Sequence, residues 1–155
     1  VDEVDEEHAA VTPTIGGRLQ TRIFLLAVIG SLWTLLVGPL LPRPDGASLG
    51  DVYVAAFKVL AIVMVVGLAW ELLYHGLQQF RWEKDWPTLY GFLTGINEGL
   101  LAWYLAIALG LVEPAIPTSA FVVHFTTTWI VTWLWANGPM RVVFLRWRFV
   151  GGRIV

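Results

Sequence analysis

The sequence predicts an all-α integral membrane protein, a bundle of four transmembrane helices, on three observations. Apolar residues make up 57% of the 155 and charged residues only 14%, where a soluble domain carries about 25% charged residues. Four apolar stretches are each long enough for a helix to cross a hydrocarbon core of about 30 Å at about 1.5 Å per residue. The remaining cations gather on one side of those stretches.

Residues 1–22 read as a polar cytoplasmic tail. Val1 to Glu7 contains five acids, a composition expected to stay disordered, and it lacks the basic start of a signal peptide. The first helix is expected over about 23–42, uncharged, and is stopped by Gly38-Pro39 and by the turn-forming run Pro42-Arg43-Pro44-Asp45-Gly46. The second is expected over about 52–80, with Asp51 as its cap and Lys58, Glu71 and His75 inside it. The third covers about 87–112 and contains Glu98; Pro87 lies in its opening turn, where a missing N–H costs little. The fourth covers about 117–137, with His124 as its one titratable group and Asn137-Gly138-Pro139 as its stop. Strands of a membrane barrel would alternate in polarity, and these stretches do not. Short connections make consecutive helices antiparallel neighbours.

Residues 138–155 form a basic, aromatic juxtamembrane tail with a short interfacial helix expected at about 140–149. Arg141, Arg146 and Arg148 are its anchors to anionic headgroups, each contributing about 1 kcal/mol. Arg18, Arg22, Arg81, Lys84, Arg141, Arg146, Arg148 and Arg153 fall on one side of the predicted spans and Arg43 alone on the other. The positive-inside rule then puts both termini in the cytoplasm, with an inner (plasma) membrane as the location.

Zero cysteines exclude a disulfide, a zinc–thiolate site, an iron–sulfur cluster or a thiol relay within the chain. No phosphate-cradling glycine loop, HExxH or dinucleotide fingerprint is present, and no Ser/His/acid set shares a depth. No catalytic residue, metal or cofactor is therefore assigned, and no nucleic-acid partner is expected.

The polar groups inside the spans are the candidates for function, because burying them in hydrocarbon is costly. From the rise per residue, Lys58 lies about 9 Å from the outer side, His124 about 10 Å from it, and Glu98 about 16 Å from the inner side. These three, with Asn97 next to Glu98 in sequence, form one candidate cluster: a Lys58–Glu98 ion pair that fixes helix register, lines an ion or proton path, or borders a ligand pocket open to the outer face. Glu71 and His75, four residues apart on one helical face, form an inner-interface polar pair without the Glu-x-x-His spacing of di-iron bundles. His75 and His124 differ by about 25 Å in depth, too far to ligate one haem. Gly91, Gly95 and Gly99 form a small-residue stripe, continued by Ala102 and Ala106, that lets backbones approach closely.

Two functions follow as expectations. The first is a small accessory, assembly or stabilising subunit of a larger membrane complex, or a homo-oligomer, with lipid headgroups and other membrane subunits as partners. The second is a small transporter or channel, with proton coupling as an option, using Lys58, Glu98 and His124. A membrane enzyme or cofactor subunit built on Glu71 and His75 is the third and least supported.

Overall fold

A computed structural model of the chain describes residues 14–80, 88–110, 117–145 and 152–154, and all of its regular structure is helical. Helix α1 spans Ile15–Leu40, α2 Leu49–Gln79, α3 Thr88–Ala108, α4 Thr118–Asn137 and α5 the short Pro139–Val143. The parts of the acidic tail at 1–13 and of the basic tail at 146–151, with Arg146 and Arg148, lie outside the described residues. So does the 81–87 connection.

The second, third and fourth helices run close to their expected bounds. The first does not: it begins at Ile15 rather than Ile23. Thr14 caps it, its side chain accepting from the Gly17 N–H at 3.2 Å, and the first two turns are polar because they carry Arg18 and Arg22 inward. Residues 14–22 therefore belong to the bundle and not to a tail. The interfacial helix expected at about 140–149 is described only as Pro139–Val143, with Arg141 exposed on it.

Local chemistry accounts for the ends. Pro44-Asp45-Gly46-Ala47 is a turn closed by Ala47 N–H to Pro44 C=O at 3.1 Å, with Gly46 at φ 86°, the position that favours glycine. Asp51 caps α2 reciprocally with Ser48: the Ser48 N–H donates to Asp51 Oδ2 at 3.0 Å, and the Asp51 N–H donates to Ser48 Oγ at 3.2 Å. This is a capping box.

Helix α1 contains a π-helical segment at Leu25–Gly30. Its inward row, Arg18, Arg22, Leu26, Gly30 and Thr34, advances by four residues each step. On a straight helix that row drifts by about 160° from first to last. The extra residue of a π turn sets the phase back by about 100°, so Arg22 and Thr34 can face the same interior.

The helices pack antiparallel in sequence order. Gly38 lies against the Tyr53 ring, Gly30 against Leu60 and Gly67 against Arg22, so α1 and α2 run in opposite directions. Gly95 against Trp129 and Gly99 against Phe125 do the same for α3 and α4. Helices α1 and α3 each pack on both α2 and α4, so they stand at opposite corners. The central core joins Leu26, Val59, Leu60, Val63, Ala102, Ala106 and Phe121. A second cluster, Val37, Leu41, Val52, Ala56 and Ala120, closes one end. At the other, Leu25 and Ile29 meet the fully buried Met140 of α5.

Helices α1 and α2 contain the stretches Ile15–Leu40 and Leu49–Leu77, which are long and apolar enough to cross a membrane. Among the described residues α3 and α4, at 21 and 20 residues, are long enough but less apolar. They carry Asn97 and Glu98, and His124 with a run of threonines.

The glycine stripe of α3 divides. Gly95 and Gly99 serve packing inside the bundle, whereas among the described residues nothing lies within 4 Å of the place a Cβ would take on Gly91. Trp129 cannot yield easily, because its Nε1–H donates to the Phe92 carbonyl at 3.0 Å. Gly95→Ala is therefore expected to destabilise by about 1–3 kcal/mol, the usual cost of overpacking, read as a lower thermal midpoint in mild detergent. Gly91→Ala should leave that midpoint unchanged or slightly raised.

Candidate functional site

The polar interior is built in two tiers. In the first, α1 supplies Arg18 and Arg22, α2 supplies Glu71, and α3 supplies Glu98. Arg22 Nη2 donates to Glu98 Oε1, and its Nη1 lies 3.8 Å from Glu71 Oε1. Arg18 Nη1 lies 3.7 Å from the other Glu71 oxygen. Glu98 is 2% exposed, so the pair with Arg22 crosses the bundle diagonal away from solvent.

Three further residues make that crossing possible. Gly67 on α2 leaves its Cβ space to the Arg22 guanidinium. Trp129 on α4 lies beneath that guanidinium, its ring centre 5.4 Å from Cζ, a cation–π contact. Gly95 in turn admits the Trp129 ring. Four helices thus converge on one side chain. Two cations and two carboxylates form the cluster, so its charges compensate.

The second tier is neutral. His124 on α4, 3% exposed, meets Thr34 on α1 with Nε2 2.9 Å from Oγ1. The Thr34 hydroxyl also donates to the Gly30 carbonyl at 2.7 Å. Beside it, the Trp33 Nε1–H donates to Thr127 Oγ1 at 3.0 Å. Next to His124 is a cavity of about 10 Å³, lined by Leu26, Leu60, His124, Phe125, Thr128 and Trp129 among others. The buried Thr128 hydroxyl has no hydrogen-bond partner among the described residues.

The residues picked from sequence are not gathered as expected. Glu98 is buried and paired, but with Arg22 rather than Lys58. Lys58 is exposed on the outer surface of α2, and Asn97 is exposed on α3. His124 bonds to Thr34 and not to Glu98. Glu71 pairs with Arg18 and Arg22, while His75 is half-buried one turn further along α2. The neighbours Trp70 and Tyr74 stack at 5.7 Å. Among the described residues no group of three His, Asp or Glu is placed to hold a metal ion.

Arg18 and Arg22, loop cations by hydropathy, are functional residues of the bundle interior. Their spacing of four residues, matching one helical face, is the signal that could have placed them inside a helix opposite Glu71 and Glu98. Gly67 and Trp129 have no comparable signature, because their role depends on where the Arg22 side chain lies.

Comparison of the chain with family models, with curated proteins and with solved structures finds no match.

Two predictions follow from this geometry. Removing one partner of a buried pair leaves an uncompensated charge and costs about 3–5 kcal/mol. Arg22→Gln and Glu98→Gln are each expected to lower the thermal midpoint in mild detergent strongly. The double substitution should fall by less than their sum, since contacting residues couple. In the other tier, Thr34→Val removes a bonded hydroxyl and is expected to destabilise by about 1–3 kcal/mol. Thr128→Val removes an unbonded hydroxyl of similar volume, and its midpoint should be unchanged or raised.

Proposed function

We propose that the chain is a four-span integral membrane protein whose work is helix packing: an accessory, assembly or stabilising subunit of a larger membrane complex, or a homo-oligomer. The observation that carries this reading is the inverted surface of the bundle. Glu98, His124, Thr34, Thr128 and Thr132 are buried, while Leu36 is 69%, Val65 70% and Leu100 67% exposed. In water such an outward apolar surface favours aggregation or association; in lipid it is the ordinary lateral face.

The same inversion supports counting α3 and α4 as spans. The polar groups that reduce their apolarity, Glu98 on one and His124, Thr128 and Thr132 on the other, are turned inward. Their outward positions include Leu93, Ile96, Leu100 and Ile107 on α3 and Val122, Val123, Ile130 and Leu134 on α4. With Arg18 and Arg22 assigned to the bundle, six loop and tail cations still stand on one side against Arg43 on the other. That bias supports cytoplasmic termini.

A structural role suits the charge cluster because its members answer one another across three helices. The residues on which a transport path would rest do not meet: Lys58 points outward, Glu98 is held by Arg22, and His124 by Thr34. The packing reading therefore takes precedence.

The test is purification at native expression in mild detergent after alkaline carbonate washing. The chain is expected to stay with the membrane pellet and to migrate with stoichiometric partners or as a defined oligomer. Release by carbonate would remove the membrane assignment. Recovery as a lone monomer would remove the subunit and oligomer roles.

A further inference from the structure

Asn97 is the one Asn, Gln or charged residue described in the middle of α3 that faces outward. It lies nine residues from the first residue of the helix and eleven from the last, about 14 Å and 16 Å along the axis. Unlike Glu98 beside it, it makes no hydrogen bond among the described residues. Leu93, Leu100, Leu101 and Tyr104, all exposed, lie on the same helical face within about 60° of it, at about 100° per residue. A carboxamide with two N–H donors and a carbonyl acceptor is thus set at the centre of an apolar face.

In a spanning helix that position is near the bilayer midplane. Hydrocarbon offers no donor or acceptor, and an unsatisfied amide there is unfavourable by several kcal/mol. Lys58, also outward, has a long stem on which to reach a headgroup. Asn97 has one methylene and cannot. A lipid headgroup is therefore excluded as its partner by reach, which leaves a polar group on another transmembrane helix.

The chemistry of the face selects which helix. A primary amide is complementary to itself: each N–H₂ can donate to the other's C=O. The surrounding Leu and Tyr side chains carry no charge that calls for an opposite one. Two copies inserted with the same topology are related by a two-fold axis along the membrane normal, which brings each position of α3 opposite itself. We infer that two copies of this chain pair through the outward face of α3, with Asn97 bonded to Asn97 across the axis. This rests on the four-span reading and deepens it by naming the partner and the contact.

The absence of native cysteine makes the test direct. Single-cysteine variants Leu93→Cys, Leu100→Cys and Tyr104→Cys, with Asn97 intact, are oxidised in native membranes. Leu36→Cys and Val65→Cys on the outward faces of α1 and α2 are the controls. Disulfide formation requires Cα atoms within about 7 Å, so dimers are expected from α3 positions and not from the controls. In liposomes, resonance energy transfer between labelled copies should show association weakened about tenfold by Asn97→Leu, in line with interhelical polar contacts. Asn97→Gln, which keeps the amide, should retain most of it. Asn97 faces outward, so Leu there leaves the internal packing intact.

Three outcomes overturn the inference: no α3 cross-link, association indifferent to Asn97→Leu, or cross-links only to a different protein. Failure of the underlying reading has its own signature. Cysteines along α3 would then react with a membrane-impermeant maleimide at every position, or the chain would leave the membrane in carbonate. Shielded cysteines that do not cross-link reject the dimer alone.

Discussion

The Arg22–Glu98 pair is the constraint around which the bundle is arranged. It joins the two helices, α1 and α3, that stand at opposite corners, and buried charges of opposite sign are strongly unfavourable when parted. Several sequence features make sense only with that pair in place. Gly67 is small where a guanidinium must pass. Trp129 offers a ring face where a cation lies, and Gly95 is small where that ring must fit. Glu71 meets both arginines and balances the second. The π turn in α1 lets the charged and neutral tiers address one interior despite the drift of a four-residue row.

The two tiers do different physical work. The charged one is directional and long-ranged, and it links α1, α2 and α3 through groups that cannot be left alone. The neutral one links α1 to α4 through hydrogen bonds of ordinary strength, Thr34 to His124 and Trp33 to Thr127. Aromatic packing adds the α3–α4 contact, with Trp103 on Phe121 and Phe92 on Trp133. Every helix of the bundle is thus tied to another by at least one specific contact in addition to apolar burial.

Much of this fold was legible in the sequence, and the parts that were not have a common cause. Apolar runs locate α2, α3 and α4 within a few residues, since punctuation by Pro, Gly and Asp51 marks their ends. Hydropathy placed the start of α1 eight residues late because it treats an arginine as a loop residue whether or not a carboxylate awaits it. Neither level nor azimuth is readable from one helix at a time. The rise per residue sets Glu98 beside Lys58, yet Glu98 shares Arg22 with Glu71, 13 residues along α2 from Lys58, and Lys58 faces outward. The small-residue stripe on α3 was visible as a stripe; its division between internal packing and an open end at Gly91 depended on the neighbours, which a single helix does not reveal.

The placement of Arg18 and Arg22 has a consequence for biogenesis. In a spanning bundle made from the N-terminus onward, α1 emerges with two guanidinium groups in its first half, and α2 follows with Glu71. Glu98 is synthesised about seventy-five residues after Arg22. Until it arrives, Glu71 is the one carboxylate of the cluster that Arg18 and Arg22 can meet. Closure of the bundle around Arg22 therefore waits on the third helix, however early the first two have formed.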